Sequence, residues 1–224
     1  MNNKNIDILK EKLDRVGILW EKTQIDQFRE YHNLLRSWNC RINLISRSDE
    51  EKIIERHFLE SLAVILHCKI QYKAAIVDIG SGGGFPGIPV AIMRPDVNFT
   101  LVESKRLKTL FLKDVVSDLK LKNVSVVNER CEKIAESGRL EGSFDCAFSR
   151  AVGELCLVYG WMKKMIKPEG IFVAWKGGRL QKEIDALTDK FVNLVVESIK
   201  MDDRLVDPLL DRYLVIINQK SGGR

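Results

Sequence analysis

The chain has 224 residues, of which 45% are hydrophobic and 30% are charged. A chain of this size and composition can bury its own core, which excludes an intrinsically disordered protein and a small disulfide-stapled one. Lysine and arginine outnumber aspartate and glutamate by 36 to 31, and the net charge of +5 permits an anionic partner without requiring one. The longest purely apolar run, 62–66, is far shorter than the roughly 20 residues of a membrane helix. We expect a soluble cytoplasmic protein with reduced thiols and, because its cysteines and histidines lack ligand spacing, no metal site.

The first 72 residues predict helices without any strand. Apolar residues recur at three- and four-residue steps over 6–16 and over 25–38, which is typical of amphipathic helices. Thr23 is the expected N-cap of the second helix, and a third helix begins near Ser48. We therefore predict an N-terminal helical extension over residues 1–72.

From residue 74 onward, short apolar runs alternate with amphipathic stretches. This alternation predicts a parallel sheet covered by helices on both faces, with right-handed crossovers. Pro168-Glu169-Gly170 is expected to end a helix before the fifth strand, and the last two strands follow one another as an antiparallel edge hairpin. For residues 73–224 we predict an α/β fold, a doubly wound and mostly parallel sheet. The expected strands are 75–79, 98–103, 124–127, 144–149, 171–175, 192–200 and 213–218.

A glycine-rich loop, Gly-Ser-Gly-Gly-Gly-Phe-Pro-Gly-Ile-Pro at 80–89, follows the first predicted strand and opens a helix. Glycine allows positive φ and lets backbone N–H groups approach a ligand. In a doubly wound sheet, ligands bind at the carboxyl ends of the strands, where this loop would lie. The loop therefore predicts a ligand site.

Two ligands fit the spacing of this loop. Residues 82–87 match the Gly-x-Gly-x-x-Gly fingerprint of dinucleotide-binding proteins. Residues 78–84 match the acid-x-Gly-x-Gly-x-Gly loop of S-adenosylmethionine-dependent methyltransferases, whose donor carries an ammonium group that Asp78 could face. Glu103 ends the second strand and could hold the ribose of either ligand. The spacing favours the methyl donor and leaves an NAD(P)-dependent oxidoreductase as the alternative.

More specific motifs extend over nearly the whole chain. The run 80–89, Ser149-Arg150-Ala151, Trp175-Lys176-Gly177 and His-Phe-Leu-Glu-Ser-Leu at 57–62 together resemble the GidB/RsmG family. The resemblance implies a Rossmann-like class I methyltransferase that uses S-adenosylmethionine to modify N7 of a guanine in small-subunit (16S) ribosomal RNA. The implied partner is this RNA or the small ribosomal subunit. Two positions differ from the family pattern, since Glu60 stands where Asp is usual and Cys131 where Ala is usual.

The resemblance also implies residue roles. Gly80 and Phe85 would bound the donor at its methionine side, and Cys131 and Glu132 would lie beside the adenine. Arg150 would contact the donor at the acceptor side. With the residues that spacing indicates, the expected cofactor-binding set is Gly80, Gly82, Phe85, Glu103, Cys131, Glu132 and Arg150.

Arg150 and Lys176 end two predicted strands and are the expected catalytic cations, with Lys176 on an RNA phosphate or on the guanine. Guanine N7 carries a lone pair and no proton, so we expect in-line transfer without a general base, driven by alignment. Phe85 or Trp175 could stack on a flipped base.

We expect a monomer, with a non-enzymatic ribosome-assembly factor as a further alternative. The cations expected to meet RNA are Lys105, Arg106, Lys108, Lys176, Arg179 and Lys182, with Arg36, Arg41 and Arg47 from the extension.

Overall fold

A computed structural model of the chain describes residues 1, 3–178 and 180–219. Its strands are β1 (Ala75–Ile79), β2 (Asn98–Glu103), β3 (Val124–Asn128), β4 (Phe144–Arg150), β5 (Ile166–Gly177), β6 (Leu194–Lys200) and β7 (Arg212–Gln219). Within the described residues they form one seven-stranded sheet in the order β3-β2-β1-β4-β5-β7-β6. Strands β1 to β5 pair in parallel, whereas β7 pairs antiparallel with both β5 and β6. The predicted fold, with its antiparallel pair at one edge, is confirmed.

Helices cover both faces of the sheet. They are α1 (Asn3–Arg15), α2 (Lys22–Asn39), α3 (Glu60–His67), α4 (Gly87–Met93), α5 (Arg106–Asp118), α6 (Cys131–Ser137), α7 (Leu155–Met165) and α8 (Gln181–Lys190). Residues of α1 to α5 pack over one face and residues of α6 to α8 over the other, each around its own apolar core. Among the described residues, no helix is long and apolar enough to cross a lipid bilayer.

The N-terminal helices share their core with the sheet. Phe28 of α2 is fully buried, and its ring centroid lies 5.1 Å from that of Phe58. Phe111 of α5 and Phe148 of β4 belong to the same continuous cluster. Residues before and after position 73 therefore bury their apolar side chains together, and the extension is packed as a layer of the fold.

For the N-terminal helices, the predicted N-cap of the second is wrong, while the third begins where predicted but is not one regular α-helix. Helix α2 begins after Glu21 rather than Thr23, because the Glu21 N–H donates to Oε1 of Gln24 at 2.7 Å in a capping box. The third helix is divided into a 3₁₀ turn at Arg47–Lys52, a π-helical turn at Ile54–Leu59 and α3. The wider π turn keeps its apolar residues in the core, and Glu60 follows it at the start of α3.

Strand β5 begins earlier than predicted. Ile166 pairs with Phe144, and the next pair in register joins Ile171 to Cys146, so residues 167–170 form a bulge within the strand. Pro168 therefore lies inside an irregular strand, where the missing N–H of proline is tolerated, instead of in a turn that precedes it.

The shared core predicts that the extension and the sheet unfold together. Replacing fully buried Phe28 with alanine should cost about 3–5 kcal/mol of unfolding free energy, because it removes an aromatic side chain from a packed interior. Urea denaturation followed by circular dichroism should show one transition at a lower midpoint. Leu19→Ala, at a position 91% exposed, is the control and should leave the midpoint nearly unchanged. Two separate transitions, or equal midpoints for both variants, would contradict the shared core.

Candidate functional site

The loop between β1 and α4 is held by its own backbone. The N–H groups of Gly84 and Phe85 both donate to the carbonyl oxygen of Ser81. The Ser81 N–H donates to the carbonyl oxygen of Val102 in β2. These three donors are used within the protein, and the expectation that other N–H groups of the loop approach a ligand stays a prediction.

The glycines of the loop have different roles. Gly80, Gly82 and Gly84 all have positive φ, which favours glycine over other residues. A Cβ on Gly84 would lie 2.6 Å from Oη of Tyr31, and one on Gly80 would lie 2.7 Å from a methyl group of Val152. A Cβ on Gly82 would meet no heavy atom closer than 3.6 Å. Gly82 is therefore the position whose missing side chain leaves room for a ligand, whereas the other two allow close packing of the protein.

Asp78, the last acidic residue of β1, lies beneath this loop. Its Oδ2 accepts a hydrogen bond from the N–H of Gly87, at 3.0 Å, at the start of α4. Its Oδ1 has no partner among the described residues, and the side chain is 0% exposed. Burial raises the pKa of Asp78 to about 7. The carboxylate lies beside the loop as predicted but is enclosed by it, and its contact with an ammonium group stays a prediction.

Glu103 connects the loops that follow β1 and β2. Its Oε2 accepts a hydrogen bond from the N–H of Gly82 at 3.0 Å, and its Oε1 accepts one from the N–H of Lys105 at 2.7 Å. A carboxylate offers about four acceptor positions, so these two bonds leave others for ribose hydroxyls. The side chain is 6% exposed, at the rim of the site next to the open face of Gly82.

Cys131 and Glu132 open α6, just beyond the carboxyl end of β3. Cys131 is buried in the core under α6, and burial raises the pKa of its thiol to about 12. It therefore behaves as a small neutral hydrophobe, while Glu132 is half-buried beside it. Their predicted place next to the adenine stays a prediction.

Phe85 lies between the loop and the N-terminal helices. Its ring is stacked on that of His57, with centroids 4.6 Å apart and planes 22° apart, and it also contacts Tyr31. The Tyr31 hydroxyl donates to the carbonyl oxygen of Gly83. Phe85 is 7% exposed, so the expectation that it offers a free face to a flipped base is wrong.

His57 is buried beside Arg150, and neither ring nitrogen has a hydrogen bond within the described residues, although Oδ2 of Asp49 lies 3.8 Å from Nε2. Burial lowers the pKa of His57 to about 3, and the nearby positive charge of Arg150 adds to this effect. The imidazole is therefore neutral at ordinary pH.

Arg150, which ends β4, binds the N-terminal extension. One of its terminal nitrogens donates to Oε2 of Glu60 at 2.7 Å and to the carbonyl oxygen of Arg56. The other, Nη1, is buried without a partner among the described residues. The opposite oxygen of Glu60 lies 3.3 Å from Nε of Arg212, the first residue of β7. Burial raises the pKa of Glu60, and the two guanidinium groups oppose that effect.

Lys176 is also paired within the protein. Its Nζ donates to Oε2 of Glu183 at 2.6 Å and to the carbonyl oxygen of Gly153 at 2.7 Å. Glu183 also accepts the N–H of Leu155, so the ion pair links β5 to the starts of α7 and α8. The predicted contact of Lys176 with RNA would require this ion pair to share or release the ammonium group.

Arg150 and Lys176 line one cavity of about 290 Å³ at the carboxyl ends of β4 and β5, together with Glu60 and Arg212. Trp175 also lines this cavity. Its position is fixed by a hydrogen bond from its Nε1 to the carbonyl oxygen of Glu60, at 2.7 Å. Trp175 is 4% exposed, which contradicts the expectation that its ring receives a base. The two predicted cations thus face one space, and their catalytic roles stay predictions.

The expected RNA-facing cations are mostly on the surface. Arg179 lies outside the described residues, Lys108 and Lys176 are half-buried, and the side chain of Arg36 is 3.7 Å from that of Glu51. The exposed members of the set are Arg36, Arg41, Arg47, Lys105, Arg106 and Lys182.

Sequence reasoning missed the parts of the site that come from distant segments. Tyr31 and His57 lie in helical patterns that predict only core packing. Glu60 is a charged residue between the apolar segments 58–59 and 62–66, a pattern that could have indicated a buried ion pair. Arg212 opens the last strand and offered no comparable signal.

The strand order and the glycine-rich loop after β1 define the Rossmann-like class of methyltransferases. A solved S-adenosylmethionine-dependent methyltransferase from Aquifex aeolicus superposes with a TM-score of 0.57 at 15% identity, covering 77% of this chain and 98% of its own. A solved TYW2 from M. jannaschii, in complex with AdoMet, superposes with a TM-score of 0.54 at 15% identity, covering 80% of this chain and 77% of its own. At these identities the likeness shows the fold.

Sequence similarity identifies the family to which the chain belongs. A family model described as rRNA small subunit methyltransferase G matches residues 24–205. A protein of that name from Clostridium beijerinckii is 36% identical over 184 residues, covering 80% of this chain and 74% of its own. Another, from Clostridium botulinum, is 33% identical over 216 residues, covering 95% of this chain and 90% of its own. The chain belongs to the rRNA small subunit methyltransferase G family, which confirms the resemblance and the S-adenosylmethionine-dependent class over the oxidoreductase.

The close contact between Gly84 and Tyr31 can be tested directly. In Gly84→Ala the new methyl group would meet the Tyr31 hydroxyl at 2.6 Å and Ile88 at 2.7 Å. Gly142→Ala is the matched control, since Gly142 also has positive φ but has no heavy atom within 4 Å of the added Cβ. We expect Gly84→Ala to lose about 1–3 kcal/mol more unfolding free energy than the control and to bind S-adenosylmethionine more weakly by calorimetry. Equal losses in the two variants would show that the contact is unimportant.

The buried carboxyl of Asp78 predicts a pH dependence of stability. The pKa rises from 3.8 in the unfolded chain to about 7 in the folded protein, so the native state binds more protons between these values. Stability from this group is therefore complete at low pH and is lost as the pH rises toward 7. The unfolding free energy of wild type minus that of Asp78→Asn should fall by up to about 1.4 kcal/mol per pH unit from pH 4.5 to 6.5 and level off above 7. Urea titrations across this range measure it, and a constant difference would refute the prediction.

Proposed function

We propose that the protein transfers a methyl group from S-adenosylmethionine to N7 of a guanine in small-subunit (16S) ribosomal RNA. Membership of the rRNA small subunit methyltransferase G family supports the substrate class. S-adenosylmethionine supplies the methyl group from a positively charged sulfur. The proposal also places the protein in the cytoplasm, with the small ribosomal subunit or its RNA as partner and with the protein acting as a monomer.

The loop fits this donor better than a dinucleotide. The first N–H of α4, on Gly87, is capped by Asp78, and the Gly82 N–H is held by Glu103. The Glu103 carboxylate places negative charge where a pyrophosphate would need positive charge, and this suits a cationic ligand. Glu103 would hold the ribose hydroxyls, and the open face of Gly82 would admit the rest of the donor beside the loop.

The single observation that favours N7 is that, among the described residues, the carboxylates at the cavity are paired with cations and the neighbouring imidazole is a weak base. Glu60 and Glu183 accept hydrogen bonds from Arg150 and Lys176, and Asp78 is enclosed beneath the loop and does not line the cavity. The pKa of His57 is lowered to about 3, so it is a poor proton acceptor at neutral pH. An acceptor that must lose a proton, such as a ribose hydroxyl, would need a free base. Guanine N7 needs none, and the residues that we place at the site would act by alignment and by fixed charge.

The experiment is methyl transfer followed by identification of the product. Purified protein is incubated with labelled S-adenosylmethionine and either small ribosomal subunits or free 16S RNA, and the nucleosides are separated by mass spectrometry. We expect N7-methylguanosine, a turnover number that is nearly flat from pH 6 to 9, and the same flat profile in Arg150→Ala and Lys176→Ala despite weaker binding.

Other results distinguish the alternatives. A methylated ribose, or a turnover number that rises tenfold per pH unit, would require a general base and would contradict the proposed acceptor. RNA binding without any methyl transfer would indicate a non-enzymatic assembly factor instead.

A further inference from the structure

The 290 Å³ cavity is built around one buried carboxylate from the N-terminal extension. Glu60 is 2% exposed and begins α3, directly after the π-helical turn at Ile54–Leu59. Its side chain contacts Arg150 at 2.7 Å and Arg212 at 3.3 Å, and its carbonyl oxygen accepts the indole N–H of Trp175 at 2.7 Å. One residue of the extension thus meets the end of β4, the end of β5 and the beginning of β7.

Arg150 and Arg212 each have N–H groups that do not bond to Glu60. Nη1 of Arg150 is buried with no partner among the described residues. Arg212 reaches Glu60 through Nε, and its side chain is 34% exposed. Gly177, paired with Arg212 across β5 and β7, makes room for this guanidinium, since a Cβ there would lie 2.6 Å from Nη1 of Arg212. Arg150 and Arg212 therefore both line the cavity, and the guanidinium group of Arg212 is the more exposed of the two.

The charges around the cavity leave a small positive excess. Arg150, Arg212 and Lys176 are three cations, while Glu60 and Glu183 are two carboxylates within 3.3 Å of them. Among these described side chains, one positive charge is uncompensated. A phosphodiester carries one negative charge and accepts paired hydrogen bonds from arginine.

We propose that Glu60 is a positioning residue that presents Arg150 and Arg212 to this cavity and limits its excess charge to one, so that the cavity receives a single RNA phosphodiester. The inference rests on the proposed function for its substrate and names a subsite of it. The carboxylate of the methyl donor is the other source of a single negative charge. We favour the phosphodiester because the cavity lies at β4, β5 and β7, whereas the residues expected at the donor, apart from Arg150, follow β1, β2 and β3.

The main test compares Glu60→Gln with a matched control. Glutamine keeps the size of the side chain and removes its charge, which leaves two uncompensated positive charges at the cavity. We expect unrelated single-stranded RNA to bind several-fold more tightly, and the slope of log affinity against log salt to steepen by about 0.7, the value for one more phosphate contact. The turnover number on small-subunit RNA should fall at least tenfold because Arg150 loses its anchor. Glu154→Gln, at an exposed residue of the loop after β4, removes the same charge without touching either arginine and should change none of these.

A second variant covers the case in which Glu60→Gln does not fold, as judged by circular dichroism. Arg212→Gln removes a partly exposed cation from the lining of the cavity and should make the salt slope shallower by about 0.7. Combining it with Glu60→Gln returns the excess charge to one, and the slope should return to the wild-type value. Unchanged slopes in Arg212→Gln and, where it folds, Glu60→Gln would overturn the proposal.

Calorimetry with S-adenosylmethionine separates the two anion sources. A dissociation constant that stays within twofold in Glu60→Gln and Arg212→Gln supports the phosphodiester, whereas weaker donor binding with unchanged RNA slopes would assign the cavity to the donor carboxylate and overturn the proposal. A wild-type protein that binds RNA but transfers no methyl group would refute the proposed function alone, because the salt slopes are measured without turnover.

Discussion

The glycine-rich loop is held by hydrogen bonds within its own backbone, to Asp78 below it and to Glu103 beside it. A backbone without side chains would otherwise be the most mobile part of the fold, since glycine loses the most conformational freedom on ordering. Asp78 fixes the exit of the loop into α4, and Glu103 fixes its middle at Gly82. Phe85 and Tyr31 pack directly on this closed arrangement, so the loop also fixes the boundary between the site and the N-terminal helices.

The electrostatics of the site follow from burial more than from the number of charges. Glu60 and Arg150 are taken out of water together, and such a pair is costly to break because the remaining partner would be left buried and alone. The pair therefore fixes the relative position of the two segments more than it stabilises the fold. It holds a strand end of the sheet against a helix start of the extension, at the place where the proposed acceptor would lie.

The fold could be predicted from the sequence because its signals are local. Alternating apolar runs give the strands, and the loop at 80–89 marks the carboxyl end of β1. The site was predicted less well, because its contacts join segments far apart in the chain. Arg150 and Lys176 were found as strand ends, but their partners Glu60 and Glu183 are 90 and 7 residues away and follow no fixed spacing. Trp175 and Phe85 were expected to be open aromatic faces, and only the packed structure shows that both are covered.

The shared core of the extension and the sheet has a consequence for how a large nucleic acid can be accommodated. Helix α2 is bonded to the end of α4 and to the end of α5 through Gln24 and Gln27, in addition to its apolar contacts. These contacts favour a fixed layer over a hinged one. If the proposed function holds, the distortion needed to bring a base to the donor would fall on the RNA strand.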